Sequence, residues 1–406
     1  MLNVVLPDEV IGIVKNNFPV DGFKSETVEA VSALGRVLHR DIVAEEDVPG
    51  FDRSTVDGYA VLASDTFGCS EGIPAVLTLA GEVLMGESAG FALKPGMCAI
   101  VSTGGEIPQG ADAVVMLEFT EDYSGNDTAE RLIGIQKPAA PGNNLIFKGD
   151  DVRTGEIILT AGTKLSAHDI GILAALGYSE VDVRRQPVVG IISTGNELVP
   201  VTSDPKSGQV RDVNMSMLKA SVTGFGANVR DFGIIRDDED SIRSAILSAI
   251  ECCDIVLISG GSSAGARDLT ARIIESEGKL LFHGIAMKPG KPTILGSIGG
   301  KPVFGLPGHP VAAYLVTELF VRPLIDDFTG SITKRYTIKA KIGESISSNH
   351  GRAEYMAVRL SADGTAHPVR GKSGLIASLA GVDGYICIPR DCEGIASGDE
   401  VVVYEF

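Results

Sequence analysis

Residues 254–270 read DIVLISGGSSAGARDLT, an apolar run that opens into a glycine-serine turn and closes on Arg267-Asp268. Ile255, Val256, Leu257 and Ile258 show no polar alternation, which is the habit of a strand buried on both faces of a parallel sheet. The following turn, Gly260-Gly261-Ser262-Ser263-Ala264-Gly265, leaves backbone N–H groups clear of side chains and adds two hydroxyls. Such a turn can wrap a phosphate or another oxyanion. Asp268 follows where a carboxylate could hold a metal against that anion, at the strand edge where open α/β sheets bind ligands.

Most glycine-rich turns are only turns, so the neighbouring segments carry the weight. Residues 187–198, PVVGIISTGNEL, form a second apolar strand ending near Thr194 and Glu197. A third, 228–238, NVRDFGIIRDD, ends in Arg236-Asp237-Asp238. In 279–292, KLLFHGIAMKPGKP, a fourth strand leads to Lys288 and Lys291 around Pro289-Gly290. Ile242, Ala245, Ile246, Ala249, Ile250 and Cys253 make a one-sided helical stripe between two of these strands, and further helices are expected over 214–222 and 311–324. Strand-helix alternation with right-handed crossovers places all four strand ends on one edge.

Elsewhere, Pro7 and Asp8 open a helix carrying Val10, Ile11 and Val14, and a second stripe of Val28, Val31, Leu34, Val37 and Leu38 predicts another. Residues 50–140 are turn-rich with strand-like runs, and short alternating runs after Ile332 predict a small β-barrel or sandwich. With 406 residues and 44% hydrophobic residues the chain can bury several cores. Its net charge of −18 argues against nucleic acid, yet leaves a local cationic site for a small anion open. No apolar run of about 18 residues suggests a membrane span. The N-terminus lacks a basic region of the secretory kind, and six cysteines without CxxC spacing read as reduced thiols, so a cytoplasmic location is expected.

Seven segments occur in one order: FDRSTVDGYA (51–60), STGGEIPQGADAVVMLE (102–118), STGNELVP (193–200), IIRDD (234–238), GGSSAGARD (260–268), KPGKP (288–292) and GLPGHP (305–310). Together they resemble the molybdopterin molybdenumtransferases, the MoeA-type enzymes related to the gephyrin E domain, from about residue 5 to the C-terminus. The resemblance implies a multidomain α/β plus β fold. Its parts would be an elongated mixed domain (1–44 plus 141–184), a β-rich domain inserted into it (45–140), a three-layer, MogA-like α/β molybdopterin-binding domain (185–330), and a C-terminal β-barrel (331–406).

The resemblance also implies the reaction: release of AMP from adenylylated molybdopterin coupled to insertion of molybdate, with Mg2+ taking oxygen ligands. Asp268 is the first candidate for the metal-linked acid, with Asp237 and Glu197 as further candidates for metal or substrate; an acid after a strand is more commonly a helix cap. Asp57 and Thr103 match family positions in a cleft shared across a homodimer, and Asp151 matches a further acid of unassigned role. Substrate contacts fall to Gly260, Gly261, Ser262, Ser263, Lys288, Lys291, Pro307 and Pro310, with Ser373 on the oxyanion. Arg352 or Arg359 would supply its arginine, since Ala357 stands where a second arginine is expected. His309 replaces the usual asparagine of GLPGHP. An upstream molybdopterin adenylyltransferase is a possible partner. A molybdopterin adenylyltransferase, a non-catalytic scaffold and tungstate insertion are the alternative readings.

Overall fold

The computed structural model describes residues 4–20, 22–124, 131–260, 264–331 and 336–406, with backbone alone for 264–268. The chain forms two compact units, one of residues 1–39, 162–166 and 181–406 and the other of 40–161 and 167–180.

The first unit holds a six-stranded sheet in the spatial order Asn228–Ile235, Val188–Thr194, Ile255–Gly260, Lys301–Leu306, Ile294–Ile298, Lys279–His283. The first four strands run parallel. Their side chains divide by strand period. Ile255 and Leu257 join Met215, Leu218 and Val222 of the helix Val213–Gly224 on one face, together with Val10 and Val14 of the helix Pro7–Asn17. Val256 and Ile258 join Ile242, Ile246 and Ala249 of the helix Glu239–Cys252 on the other. Helices on both faces give three layers and explain the unbroken apolar runs: no residue of a central strand can face water.

Lys279–His283 does not pair with a parallel neighbour, as four consecutive parallel strands would require. It lies antiparallel to Ile294–Ile298, which forms a hairpin with Lys301–Leu306. Two reversals restore the strand's direction, so its carboxyl end still reaches the shared edge. Gly299 and Gly300, at φ 58° and 77°, make the two-residue turn, a left-handed conformation that glycine adopts at no steric cost.

Two predicted helices differ. The stripe over residues 28–38 folds instead as the strand Ser25–Glu29, paired with Glu180–Arg184, and a short 3-10 turn Ala30–Ala33. Val31 and Leu34 stay exposed and Gly35 takes a left-handed φ, so an apolar periodicity without a partner surface makes no helix here. The predicted helix over 311–324 is Pro310–Val316, a π turn Thr317–Val321, and a helix Arg322–Thr329. Pro323 has no N–H to continue the regular ladder, and the π turn absorbs the mismatch.

Ala353–Leu360, Thr365–Pro368, Thr337–Ile342, Glu400–Glu405 and Gly384–Ile388 close into a five-stranded barrel, because the last strand pairs back onto the first. Met287–Lys288 adds to it in parallel, opposite Ala353 and Glu354. The second unit carries a six-stranded sheet, Ala113–Met116, Gly58–Val61, Met97–Val101, Ala75–Val83, Leu132–Ile135, Thr120–Asp122. No helix of the described residues is long and apolar enough to cross a membrane.

Phe304 is fully buried in a central strand. Replacing it with alanine should destabilise the protein by about 3–5 kcal/mol, through lost transfer energy and the cavity left behind. Urea unfolding checks this, and a change under about 1 kcal/mol would mean the core collapses around the gap.

Candidate functional site

The two central strands Val188–Thr194 and Ile255–Gly260 remain paired to their last residues, Thr194 opposite Gly260. Gly260 sits at φ 137°, and a Cβ built there would lie 1.8 Å from the Thr194 carbonyl oxygen. Glycine is therefore the only residue that fits at the end of this strand. Gly261, Ser262 and Ser263 lie outside the described residues, as does the side chain of Asp268, whose backbone is in the helix Ala264–Glu277.

Beside this edge is a cavity of about 710 Å³, lined by Thr194, Glu197, Asp212, Asn214, Gly260, His309 and Pro310 among others. The Thr194 hydroxyl donates a short hydrogen bond to Asp237, so Asp237 reaches the cavity wall through Thr194. Asn214 Nδ2 donates to Ser259 Oγ at 2.8 Å and to the Gly308 carbonyl at 2.9 Å. Asp212 caps its helix by accepting from Met215 N at 3.0 Å. Asp212 Oδ2 and Asn214 Oδ1 remain buried with no hydrogen-bond partner among the described residues. Buried polar atoms are seldom left so, and their place on a cavity wall suits a polar ligand or water.

A second cavity, about 760 Å³, lies against the barrel. Lys288, Lys291, Arg352, Arg370 and Lys372 line it, with Glu354 the one acidic residue among the described residues of its wall. Lys288 Nζ is 2.8 Å from Glu354 Oε1, and Glu354 also accepts from Ser348 Oγ at 2.8 Å. Lys288 is half exposed while Glu354 is buried, so the acid orients the lysine without cancelling the local positive field. Pro307 and Ser373 are on the same wall. His309 lines both cavities, and its Nδ1 is 2.8 Å from Ser373 Oγ.

Of the two arginines proposed to replace the one absent at Ala357, Arg352 reaches this cavity. Arg359 instead donates to the Ala380 carbonyl at 2.8 Å. Arg370 was not singled out in the sequence, although the basic run Arg370-Gly371-Lys372 ahead of Ser373 was its signal. Its Nη2 donates to the Ser345 carbonyl at 2.8 Å, which holds one edge of the guanidinium at the cavity wall. Val369 N donates to the carbonyl of Ala357, so Arg370, just past the strand Thr365–Pro368, follows a residue bonded to position 357.

Asp57 and Thr103 meet in the second unit: Asp57 Oδ1 accepts from Thr103 N at 2.7 Å and from Thr103 Oγ1 at 3.0 Å. These two bonds favour the ionised form and hold the Asp57 carboxyl below the usual carboxylate range. Asp151 is exposed, and its N–H donates to the Val48 carbonyl at 3.1 Å. Among the described residues no three His, Cys, Asp or Glu side chains cluster as a ready-made metal site.

A largely parallel sheet whose central strand ends in Gly260 beside one cavity, with a second, cation-lined cavity sharing His309, is an arrangement suited to small anionic ligands. Residues 7–177 match the family described as "MoeA N-terminal region (domain I and II)", 190–327 the one described as "Probable molybdopterin binding domain", and 339–406 the "MoeA C-terminal region (domain IV)". The molybdopterin molybdenumtransferase of Bacillus subtilis is 32% identical over 394 residues, 94% of this chain and 89% of its own length. That of Staphylococcus aureus is 32% identical over 381 residues, 92% of this chain and 90% of its own. Two crystal structures of the molybdopterin biosynthesis MoeA protein from Pyrococcus horikoshii superpose with TM-scores of 0.85 and 0.84 at 38% and 35% identity. They cover 99% of this chain and 99% and 100% of their own. The chain belongs to the MoeA family.

Thr103→Val should raise the Asp57 pKa towards its ordinary value while leaving the backbone bond in place. Below the folded pKa the carboxyl is protonated and the contact is lost, so the wild-type pair should persist to lower pH than the variant pair. Carboxyl 13C NMR titration reads both, and identical midpoints would remove the hydroxyl as a cause.

Proposed function

We propose that this chain is a molybdopterin molybdenumtransferase: it inserts molybdate into adenylylated molybdopterin and releases AMP, giving the molybdenum cofactor. The observation that carries this reading is the pair of adjoining cavities with His309 in the wall of each. One offers carboxylates, unpartnered polar atoms and the glycine edge, which suits a nucleotide-bearing pterin; the other offers five cations, which suits a tetrahedral oxyanion. Membership of the MoeA family supports it, as do flanking units that an adenylyltransferase reading does not require.

Lys288, Lys291, Arg352 and Ser373 hold the oxyanion, with Arg370 beside them. Pro307 and Pro310 fix the backbone of the loop between the cavities. Cleavage of the phosphoanhydride breaks the bond between the pterin phosphate and AMP. An oxygen nucleophile held in the cationic cavity attacks the adenylyl phosphorus; the P–O bond to the pterin phosphate breaks, the pterin phosphate leaves with the bridging oxygen, and AMP carries the nucleophile's oxygen. Glu197 and Asp237 are hard oxygen donors at neighbouring strand ends, the donor set magnesium takes alongside phosphates and water, so the residues present fit the ion. Asp268 is the third proposed ligand. Bound there, magnesium would neutralise charge on the phosphate oxygens. We also propose a homodimer in which Asp57 and Thr103 serve the partner's cleft, a cytoplasmic location, and supply of substrate by an upstream molybdopterin adenylyltransferase.

Purified protein given adenylylated molybdopterin, magnesium and molybdate should release AMP, and chelation or Asp268→Ala should stop it. Absence of AMP would favour a scaffold, and faster release with tungstate would change the oxyanion assignment. Lys288→Ala should weaken molybdate binding by about tenfold, the lower end for a charged hydrogen bond from a half-exposed side chain. An unchanged dissociation constant by calorimetry would take that lysine out of the site.

A further inference from the structure

His309 stands immediately before the helix Pro310–Val316, where its side chain makes no capping bond. Its ring is committed to Ser373, Nδ1 to Oγ at 2.8 Å. The backbone repeats that connection, since Val311 N donates to the Ser373 carbonyl at 3.1 Å. The barrel loop and the helix start are thus tied at two points, and the side-chain tie sits in the wall of the cationic cavity.

A serine hydroxyl has one proton, and the imidazole decides where it points. With Nδ1 unprotonated, the ring accepts that proton and Ser373 Oγ turns only lone pairs to the cavity, which repel an anion. With a proton on Nδ1, as in the imidazolium or the neutral Nδ1–H tautomer, the ring donates to Oγ and the hydroxyl proton is released towards the cavity. An oxyanion can accept it there. Only the second arrangement forms an unbroken chain of donors from ring to hydroxyl to anion.

We propose that His309 is a positioning residue for oxyanion capture: it sets the donor direction of the Ser373 hydroxyl, and with the anion-free ring in its Nε2–H form it couples anion binding to proton uptake at Nδ1. The inference rests on the reading of the cationic cavity as the oxyanion site. Histidine is the side chain suited to this coupling, because its protonation state changes near neutral pH. The charged residues that line the cavities with it are Lys288, Lys291, Arg352, Arg370, Lys372 and Glu354 in the cationic one, where Arg370 also pairs with Glu344 at 3.4 Å, and Glu197, Arg211 and Asp212 in the other. A bound dianion adds negative charge beside that set and favours the protonated ring. The proton comes from solvent, and no covalent bond changes.

The test is calorimetric binding of molybdate, and of sulfate whose charge is constant over the range, to the full-length protein and to His309→Asn and His309→Ala. Wild-type affinity for both anions should fall about tenfold as rising pH removes the ring proton, the size of one charge-assisted hydrogen bond lost. Runs in buffers of different ionisation enthalpy should show net proton uptake on binding. His309→Asn, whose amide can donate to Ser373 at every pH, should bind with nearly pH-independent affinity. His309→Ala, whose Ser373 hydroxyl is free to turn either way, should bind with pH-independent affinity between the wild-type extremes, with circular dichroism confirming that it folds. A wild-type pH dependence retained in His309→Asn, or no proton uptake, overturns the proposal while leaving oxyanion binding intact. No binding of either anion at any pH overturns both this inference and the anion-site assignment. Proton-linked binding without AMP release supports the inference and counts against the proposed reaction instead.

Discussion

The approach of Gly260 to the Thr194 carbonyl governs the edge from which the rest of the site is built. A side chain at 260 would place its first carbon inside the oxygen's radius. Because none is there, the two central strands stay in register to their last residues, and Thr194, Glu197 and Ser259 emerge on one cavity wall. The carboxyl edge is shared by the outer strand Lys279–His283 only because the glycine-turned hairpin reverses direction twice. Lys288 and Lys291 therefore follow from the same edge as Glu197, although the strands that lead to them are not adjacent.

Electrostatics at this edge run against the chain as a whole. The protein carries a net −18, yet five cations line one cavity. At physiological ionic strength charges beyond about 8 Å are largely screened, so the near set decides what a ligand meets. Glu354 has a second role in that set. Buried and bonded to Ser348, it fixes Lys288 in position, and a fixed ammonium loses less freedom on binding an anion than a mobile one.

Much of the α/β region was legible in the sequence because burial on both faces leaves an unmistakable apolar run and helical stripes face a single sheet. The hairpin was harder to read. Ile294–Ile298 and Lys301–Leu306 flank a Gly-Gly pair that is a known hairpin signal, but their apolar residues merge with the strand and helix on either side. Residues 28–38 misled for the opposite reason: their spacing suits a helix, but Val31 and Leu34 have nothing to cover them. Periodicity proposes a buried face, and only a neighbouring surface makes it one.

The sequence alone determined the strand-ending motifs, the cationic loop and the resemblance to the MoeA family, because these depend on residue types at short spacing. Tertiary structure decided which side chains share a cavity. It chose Arg352 over Arg359, brought in Arg370, joined His309 to Ser373 and bonded Asp57 to Thr103. Those pairs are separated by tens of residues, and their meeting depends on how sheet and barrel pack or how strands register, quantities that local sequence does not encode.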